Sequence, residues 1–392
     1  MKLIGKLPEF LNFYILILAI LAGQLIKIPL GLGGITLLDL TISGFCLIGI
    51  WKVRDKLTNL PKVIRAGLFF FLVALLSLLV TPLDLALNEY LSAAFYLIRF
   101  LLYLLFGFLV YQNLFPSLRS KSSELLTFSG AGLAIIGLLQ LTFFPNLSFL
   151  ESSGWDPHYF RTVSTFLDPN FIGAFFILTL LLLYQDKLQF KWGKIFAGLV
   201  FLALLTTFSR SSYLMFLVSF SILSYLKHSW KLALVTGVTS LTLIASFYLY
   251  TSVISKPRGI DREASASFRL STWQQGLELF RSSPVLGVGF NTYKYALREY
   301  RLVDQQFLNS RGATSNDSSL LFVLATTGLL GFAAFLHFLY MMILENRVNF
   351  VLTAALSGLV VHSFFANSLF YPFILLWLLL VCLSKTTKNS VK

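Results

Sequence analysis

Twelve mostly apolar stretches punctuate the chain, near 9–26, 35–51, 66–83, 91–111, 125–144, 170–184, 195–207, 212–226, 232–253, 318–343, 350–366 and 369–383. A hydrocarbon layer about 30 Å thick needs about 20 apolar residues per helical span. The runs lack the every-second-residue alternation of barrel strands, and backbone polar groups in lipid must be satisfied within their own segment, which leaves helices. The pattern therefore predicts an all-α integral membrane protein. It has about 12 transmembrane helices and one large extracytoplasmic loop containing amphipathic helices.

Two polar segments interrupt the pattern. The first, about 145–169, ends in Asp168-Pro169. The second, about 254–317, is the longest. Within it Leu270, Trp273, Leu277 and Phe280 recur at three and four residues. That spacing predicts an amphipathic helix from Phe268 to Ser282, lying on the membrane or across the bundle. Pro284 and the pair Gly287 and Gly289 end it, and a second short helix is expected from Thr292 to Arg301. The chain thus divides into residues 1–253, holding helices 1–9 with short loops; 254–317, the large loop; and 318–392, holding helices 10–12 and a tail. Together they form one membrane domain, without internal repeat or soluble module.

Composition agrees: 57% of the 392 residues are hydrophobic and only 12% are charged, against about a quarter charged in soluble domains. A net charge of +14 raises the question of nucleic acid, but the placement of the basic residues argues for topology instead. With a cytoplasmic N-terminus, 18 of the 31 Lys and Arg residues fall in short inner segments. These are Lys2, Lys6, Lys52, Arg54, Lys56, Lys62, Arg65, Arg119, Lys121, Lys187, Lys191, Lys194, Lys227, Lys231, Arg347, Lys385, Lys388 and Lys392. Short outer loops hold only Lys27, Arg161 and Arg210. By the positive-inside rule both termini are expected in the cytoplasm. The first span is read as retained, its apolar core being long for a cleaved signal. Cys46 and Cys382 fall in apolar spans and read as packing residues.

A few charges do not belong in such a chain. Arg99 sits mid-span, where an arginine costs about 2.5–3.5 kcal/mol or more on insertion scales. It should face the bundle interior, either at a functional site or in a structural pair, with Asp39 a candidate partner. Arg210 occupies the short turn Ser209-Arg210-Ser211-Ser212. Its fork of donors among hydroxyls suits phosphate, though a boundary residue would also serve. Arg269 opens the amphipathic helix, four residues before Trp273. Asp317 precedes a long span, where Asn316 or Asp317 could cap the helix and a carboxylate could also act as general base. His158 reads as an ordinary loop residue or an acceptor-site group. His228 falls in an inner loop, and His337 and His362 read as packing residues in spans. No spacing resembles a metal site or a nucleotide-binding loop.

Four motifs in order resemble the O-antigen ligase and O-antigen polymerase family of bacterial envelope enzymes. They are Asp168-Pro169-Asn170 opening a span, Ser209-Arg210-Ser211, Arg269-x-x-x-Trp273 with Pro284-x-x-Gly287-x-Gly289, and Leu321-x-x-Leu324-x-x-x-Gly328-Leu-Leu-Gly331. The resemblance covers about 160–335. It implies an enzyme of the bacterial cytoplasmic (inner) membrane. Such an enzyme transfers glycan from a polyprenyl-pyrophosphate-linked oligosaccharide donor to a glycan or lipid acceptor at the outer face. It uses no cofactor, nucleotide sugar or metal, and binds membrane lipid rather than nucleic acid.

Carried over residue by residue, the resemblance makes Arg210 and Arg269 the diphosphate clamp. Family ligases have a histidine eleven residues before the glycine, where this chain has Asp317. An aspartate there is similar to polymerase-like relatives, and Asp317 becomes the candidate that takes the acceptor proton. The catalytic candidates are Asp317, Arg210 and Arg269. The substrate-binding candidates are Ser209, Ser211, Arg161, Asn170, Trp273, Arg99 and His158. The reading favours polymerisation over ligation to a lipid or protein. A transporter or lipid flippase is the rival of another class, and a non-catalytic scaffold of the same fold is a third reading.

Overall fold

The computed structural model describes residues 9–30, 33–53, 60–153, 155–185, 192–256, 264–309 and 311–384. Lys2, Lys6, Arg54, Lys56, Lys187, Lys191, Lys385, Lys388 and Lys392 of the topology argument lie outside the described residues.

All twelve apolar stretches fall on helices: α1 (Glu9–Ala22), α2 (Leu37–Val53), α3 (Lys62–Leu79), α4 (Leu87–Tyr111), α6 (Ser122–Phe143), α7 (Pro169–Gln185), α8 (Gly193–Leu205), α9 (Arg210–Leu226), α10 (Trp230–Tyr250), α14 (Ser319–Glu345), α15 (Phe350–His362) and α16 (Pro372–Ser384). Five segments are long and apolar enough to cross a membrane: Lys62–Leu79, Leu87–Tyr111, Ser122–Phe143, Trp230–Ser255 and Gly312–Glu345. Six others are apolar but shorter. A short helix, α5 (Pro116–Ser120), joins α4 to α6. The polar segment forms α11 (Ala264–Ser282), α12 (Tyr293–Glu299) and α13 (Gln305–Asn309).

The all-α expectation needs one correction. After Gly23, which turns the chain at positive φ, Lys27–Leu30 (β1) and Gly33–Thr36 (β2) form an antiparallel hairpin. Strands of four residues, Lys-Ile-Pro-Leu and Gly-Gly-Ile-Thr, are too short to carry an alternation that periodicity could detect. The hairpin has a second consequence. Thr36 and Asp39 cap α2 reciprocally, the Asp39 carboxylate accepting from the Thr36 backbone N–H at 2.9 Å and the Asp39 N–H donating to the Thr36 hydroxyl at 3.2 Å, the capping-box arrangement.

α16 is apolar on every side and is buried along Phe373–Ser384, as an all-round hydrophobic helix requires. It packs on α4, with α5, α6 and α15 also touching it, while α14 lies along α3 and α15 along α9. α10 is the least buried long helix and carries exposed Leu234, Val235, Leu241 and Tyr248. The connections sort to two ends. At one, Gln24 donates to the Tyr371 hydroxyl (3.3 Å), Thr162 N–H to the Thr206 carbonyl (2.9 Å) and Trp273 Nε1 to the Phe364 carbonyl (3.0 Å). At the other, the Glu345 carboxylate accepts the Lys62 and Val63 N–H groups at 2.7 and 3.0 Å, closing the N-terminus of α3. Ser122 and Ser384 meet there at 2.7 Å.

α14 is broken at Gly328 (φ 63°, ψ −166°). The break strands carbonyls and N–H groups that a continuous helix would pair. The Pro284–Gly289 stretch replaces them: Val288 and Gly289 N–H donate to the Ala325 and Thr326 carbonyls, and Leu329 and Leu330 N–H donate to the Pro284 and Val285 carbonyls, at 2.9–3.2 Å. Gly287 (φ 70°) and Gly328 face one another so closely that a Cβ on either would strike the other segment's backbone. The glycines of the Pro-x-x-Gly-x-Gly motif therefore serve a clasp between loop and helix. In lipid such replacement is obligatory, because each unsatisfied backbone group costs several kcal/mol.

Candidate functional site

The Ser-Arg turn is built by sequence neighbours with restricted geometry. Phe208 takes positive φ (47°), its ring stacked on Tyr250 at 4.2 Å. That bend starts α9 at Ser209, whose side chain accepts the Ser212 N–H, as an N-cap does. Arg210 then stands at the first helical position, its guanidinium 5.6 Å from the Phe247 ring centroid. Arg161 braces the bend from below. It is buried, and its Nε donates to the Thr207 carbonyl at 2.8 Å and its NH2 to the Phe208 carbonyl at 3.3 Å. Arg161 thus holds the turn that carries Arg210.

The Asp168-Pro169-Asn170 motif starts α7 in the same way. The Asp168 carboxylate accepts from the Asn170 N–H (2.6 Å) and the Phe171 N–H (3.2 Å), and Pro169 occupies the first turn where its missing N–H is harmless. Burial pushes the Asp168 carboxyl above its ordinary pKa, against the opposing pull of those two N–H groups and the Arg161 charge. The motif's second product is Asn170. Its Oδ1 accepts the Ser209 hydroxyl at 2.7 Å and the Ser211 hydroxyl at 3.2 Å, locking the N-termini of α7 and α9 together.

α11 brings the second arginine. It packs on α14, and Trp273 is tied to the Phe364 carbonyl after α15. Arg210, Ser211, Leu214, Arg269, Trp273 and Phe365 line one groove of about 330 Å³, apolar in most of its wall. Residues 59 apart in the chain, Arg210 and Arg269, therefore share a cavity. Among the described residues no carboxylate lies within ion-pair distance of Arg269.

Asp317 follows Asn316, which is fully buried. The Asn316 amide donates to the Thr272 carbonyl and the Tyr293 hydroxyl, and its Oδ1 accepts the Ser318 N–H at 2.8 Å. A Cβ at Gly276 would lie 2.9 Å from the Asn316 amide nitrogen, so a glycine there lets α11 close on this network. Burial holds the Tyr293 phenol well above its usual range, opposed by the Asn316 hydrogen bond and reinforced by the Asp317 charge. The cap of α14 is Ser318, which accepts the Leu321 N–H at 3.3 Å. This corrects the expectation that Asn316 or Asp317 caps the helix: a hydroxyl one residue later reaches the N–H first. Asp317 is half-buried and interacts electrostatically with Arg269, Asp168 and Asp156. It lines neither the groove nor the cavity described next.

A second cavity, about 430 Å³, lies where the hairpin, α4, α12 and the start of α16 meet. Arg99 lines it and pairs with Asp39 at 3.2 Å. The arginine also donates to the Gly34 carbonyl and lies over Phe95 and Tyr96, 5.1 and 4.9 Å from the ring centroids. Asp39 is further held by the Tyr103 hydroxyl at 3.1 Å. His158 lines neither cavity; its carbonyl accepts the Leu147 N–H at 3.0 Å. Sequence reasoning treated His362 as packing. It is fully buried at the end of α15, within electrostatic range of Arg269 and beside the Asn170 backbone. No spacing in the sequence signals that placement.

Residues 195–336, from α8 into α14, match the family model described as O-antigen ligase. The match contains Arg210, Arg269, Trp273 and Asp317, and leaves Arg99, Arg161 and Asn170 outside. It supports an O-antigen ligase/polymerase-like family for this chain, and with the apolar helices a multi-pass membrane protein. Among curated proteins, none matches.

Proposed function

We propose that this chain, of an O-antigen ligase/polymerase-like family, polymerises polyprenyl-pyrophosphate-linked oligosaccharide on the outer face of the bacterial cytoplasmic membrane. Twelve helices would span the bilayer with both termini in the cytoplasm. The chain would divide into helices 1–9 over 1–253, the extracytoplasmic loop 254–317, and helices 10–12 with the tail over 318–392. The observation that carries the reading is the shared groove of Arg210 and Arg269. Two guanidinium groups beside an apolar wall suit a ligand that is a dianion at one end and a hydrocarbon at the other.

In the proposed step an acceptor sugar hydroxyl attacks the anomeric carbon of the donor glycan. The new glycosidic C–O bond forms as the bond from that carbon to the diphosphate oxygen breaks. The electron pair leaves with the diphosphate, whose growing charge Arg210 and Arg269 neutralise in place. The hydroxyl proton passes to Asp317. Ser209 and Ser211, bound to Asn170, orient the turn, and Trp273 walls the groove. The paired guanidiniums supply the charge that a divalent ion would otherwise bring, so no metal is required.

The test is synthesis by the purified protein in lipid nanodiscs, given only lipid-diphosphate-linked oligosaccharide and a chelator. Longer lipid-linked glycans are expected without nucleotide sugar. Arg210→Ala and Arg269→Ala should each lower the rate about 100- to 1,000-fold, as removal of one preorganised charge donor does, with the fold intact. A transporter would give no lengthening in any such preparation.

A further inference from the structure

The groove assigned to the lipid diphosphate has no side-chain amide in its wall among the described residues. The 430 Å³ cavity has them, and its size falls within the range of small-molecule sites, about 300–1,000 Å³. Its wall combines aromatic side chains, among them Tyr96, Phe171, Tyr295 and Tyr371, with the amides of Gln24, Asn291 and Asn367. A pyranose presents an apolar C–H face and a rim of hydroxyls, and this mixture of flat rings and side-chain amides complements both. Two buried polar atoms in the wall, Arg99 Nε and Asn367 Oδ1, make no hydrogen bond within the protein.

Charge then narrows the ligand. Lys27, Arg99 and Lys294 line the cavity, and among the described residues no Asp or Glu does. Arg99 is balanced by Asp39 behind the wall. Glu89, the carboxylate that interacts with Lys294, is held by a two-pronged bond to Arg298. The cavity thus keeps a positive balance while its rings keep it dry enough for that charge to count. The cavity also borders the groove in sequence: Asn367 of the cavity lies two residues from Phe365 of the groove. We propose that this cavity binds the glycan portion of the substrate and selects saccharides that carry an anionic group. The substrate assignment rests on the glycan-transfer reading above, whereas the binding preference stands by itself.

The experiment is calorimetric titration of the full-length protein in nanodiscs. The probes are trigalacturonate and galactose 6-phosphate, with fully methyl-esterified trigalacturonate and galactose as neutral counterparts. At low salt at least one anionic probe should bind ten or more times tighter than its counterpart, and the advantage should shrink at 0.5 M NaCl (on the order of a 4 Å Debye length). Which probe does so separates a carboxylate from a phosphate substituent. Lys294→Gln should remove most of the advantage, Lys294→Arg should retain it, and normal elution of each variant checks the fold. Equal binding of charged and neutral forms, binding of none of the four probes, or a preference untouched by Lys294→Gln would overturn the proposal. Glycan lengthening measured on the same preparations reports separately on the function. Charge preference without lengthening sinks the enzyme reading alone, and lengthening without charge preference sinks this inference alone.

Discussion

Arg99 and Arg269 each line a cavity at the same end of the bundle, and they are set up in opposite ways. Arg99 is enclosed: Asp39 balances it, Gly34 accepts from it, and two rings flank it. Arg269 is half-buried on a polar helix, with no described carboxylate in ion-pair reach and only longer-range interaction with Asp317. A charge whose partner is built in contributes shape and fixed potential, while one without a partner is available to a ligand's anion. The contrast teaches that an intramembrane arginine is not by itself a substrate clamp. What decides is whether the fold has already neutralised it.

The comparison can be broken or sharpened by substitution. Asp317 caps nothing and Ser318 caps α14, so Asp317→Asn should separate chemistry from folding. It is expected to slow glycan lengthening by about 100- to 10,000-fold, the usual range for loss of a positioned base, with the melting temperature unchanged. A variant that keeps its rate would leave Asp317 no proton-accepting role. On the enclosed side, Asp39→Ala removes the partner of Arg99 and the acceptor for Thr36 and Tyr103. It should cost about 3 kcal/mol or more, as breaking one half of a buried pair does, read as a lower melting point in detergent. The double change Asp39→Leu with Arg99→Met should recover much of that loss; no recovery would mean that capping of α2, rather than ion pairing, dominates.

Gly328→Ala places a Cβ against the Val285 backbone in a conformation that L side chains rarely adopt. A loss of about 1–3 kcal/mol follows from the backbone strain alone, accompanied by faster amide exchange at Val288 and Gly289. Unchanged exchange would show that the clasp does not depend on the glycine. The smallest effect belongs to Ser318→Ala, about 1 kcal/mol from the lost helix cap, with glycan lengthening intact at permissive temperature.

Much of this architecture could be read from the chain. Apolar runs at span length located the helices, and three- and four-residue spacing located α11, because burial and periodicity are local properties of sequence. The partnership of Arg99 and Asp39 was also foreseeable, since a mid-span charge demands one. Other features were not legible. The hairpin has four-residue strands, too short for alternation to show. The Gly287 and Gly328 contact joins residues 41 apart, and only the break in α14 reveals why both must lack a side chain. Arg161 looked like a substrate residue because it is an arginine in an outer loop, yet in the structure its donors hold the carbonyls of the Ser-Arg turn. The 430 Å³ cavity draws its wall from the hairpin, α4, α12 and α16, a convergence that no single stretch of sequence announces.

The clasp between Pro284–Gly289 and the interrupted α14 constrains how any substrate arrives. Swinging the polar segment away like a flap would strip partners from the Ala325 and Thr326 carbonyls and from the Leu329 and Leu330 amides. The cover is welded to the scaffold at that seam. On the proposed function, that seam leaves a lipid-tailed donor a sideways route from the bilayer, between helices.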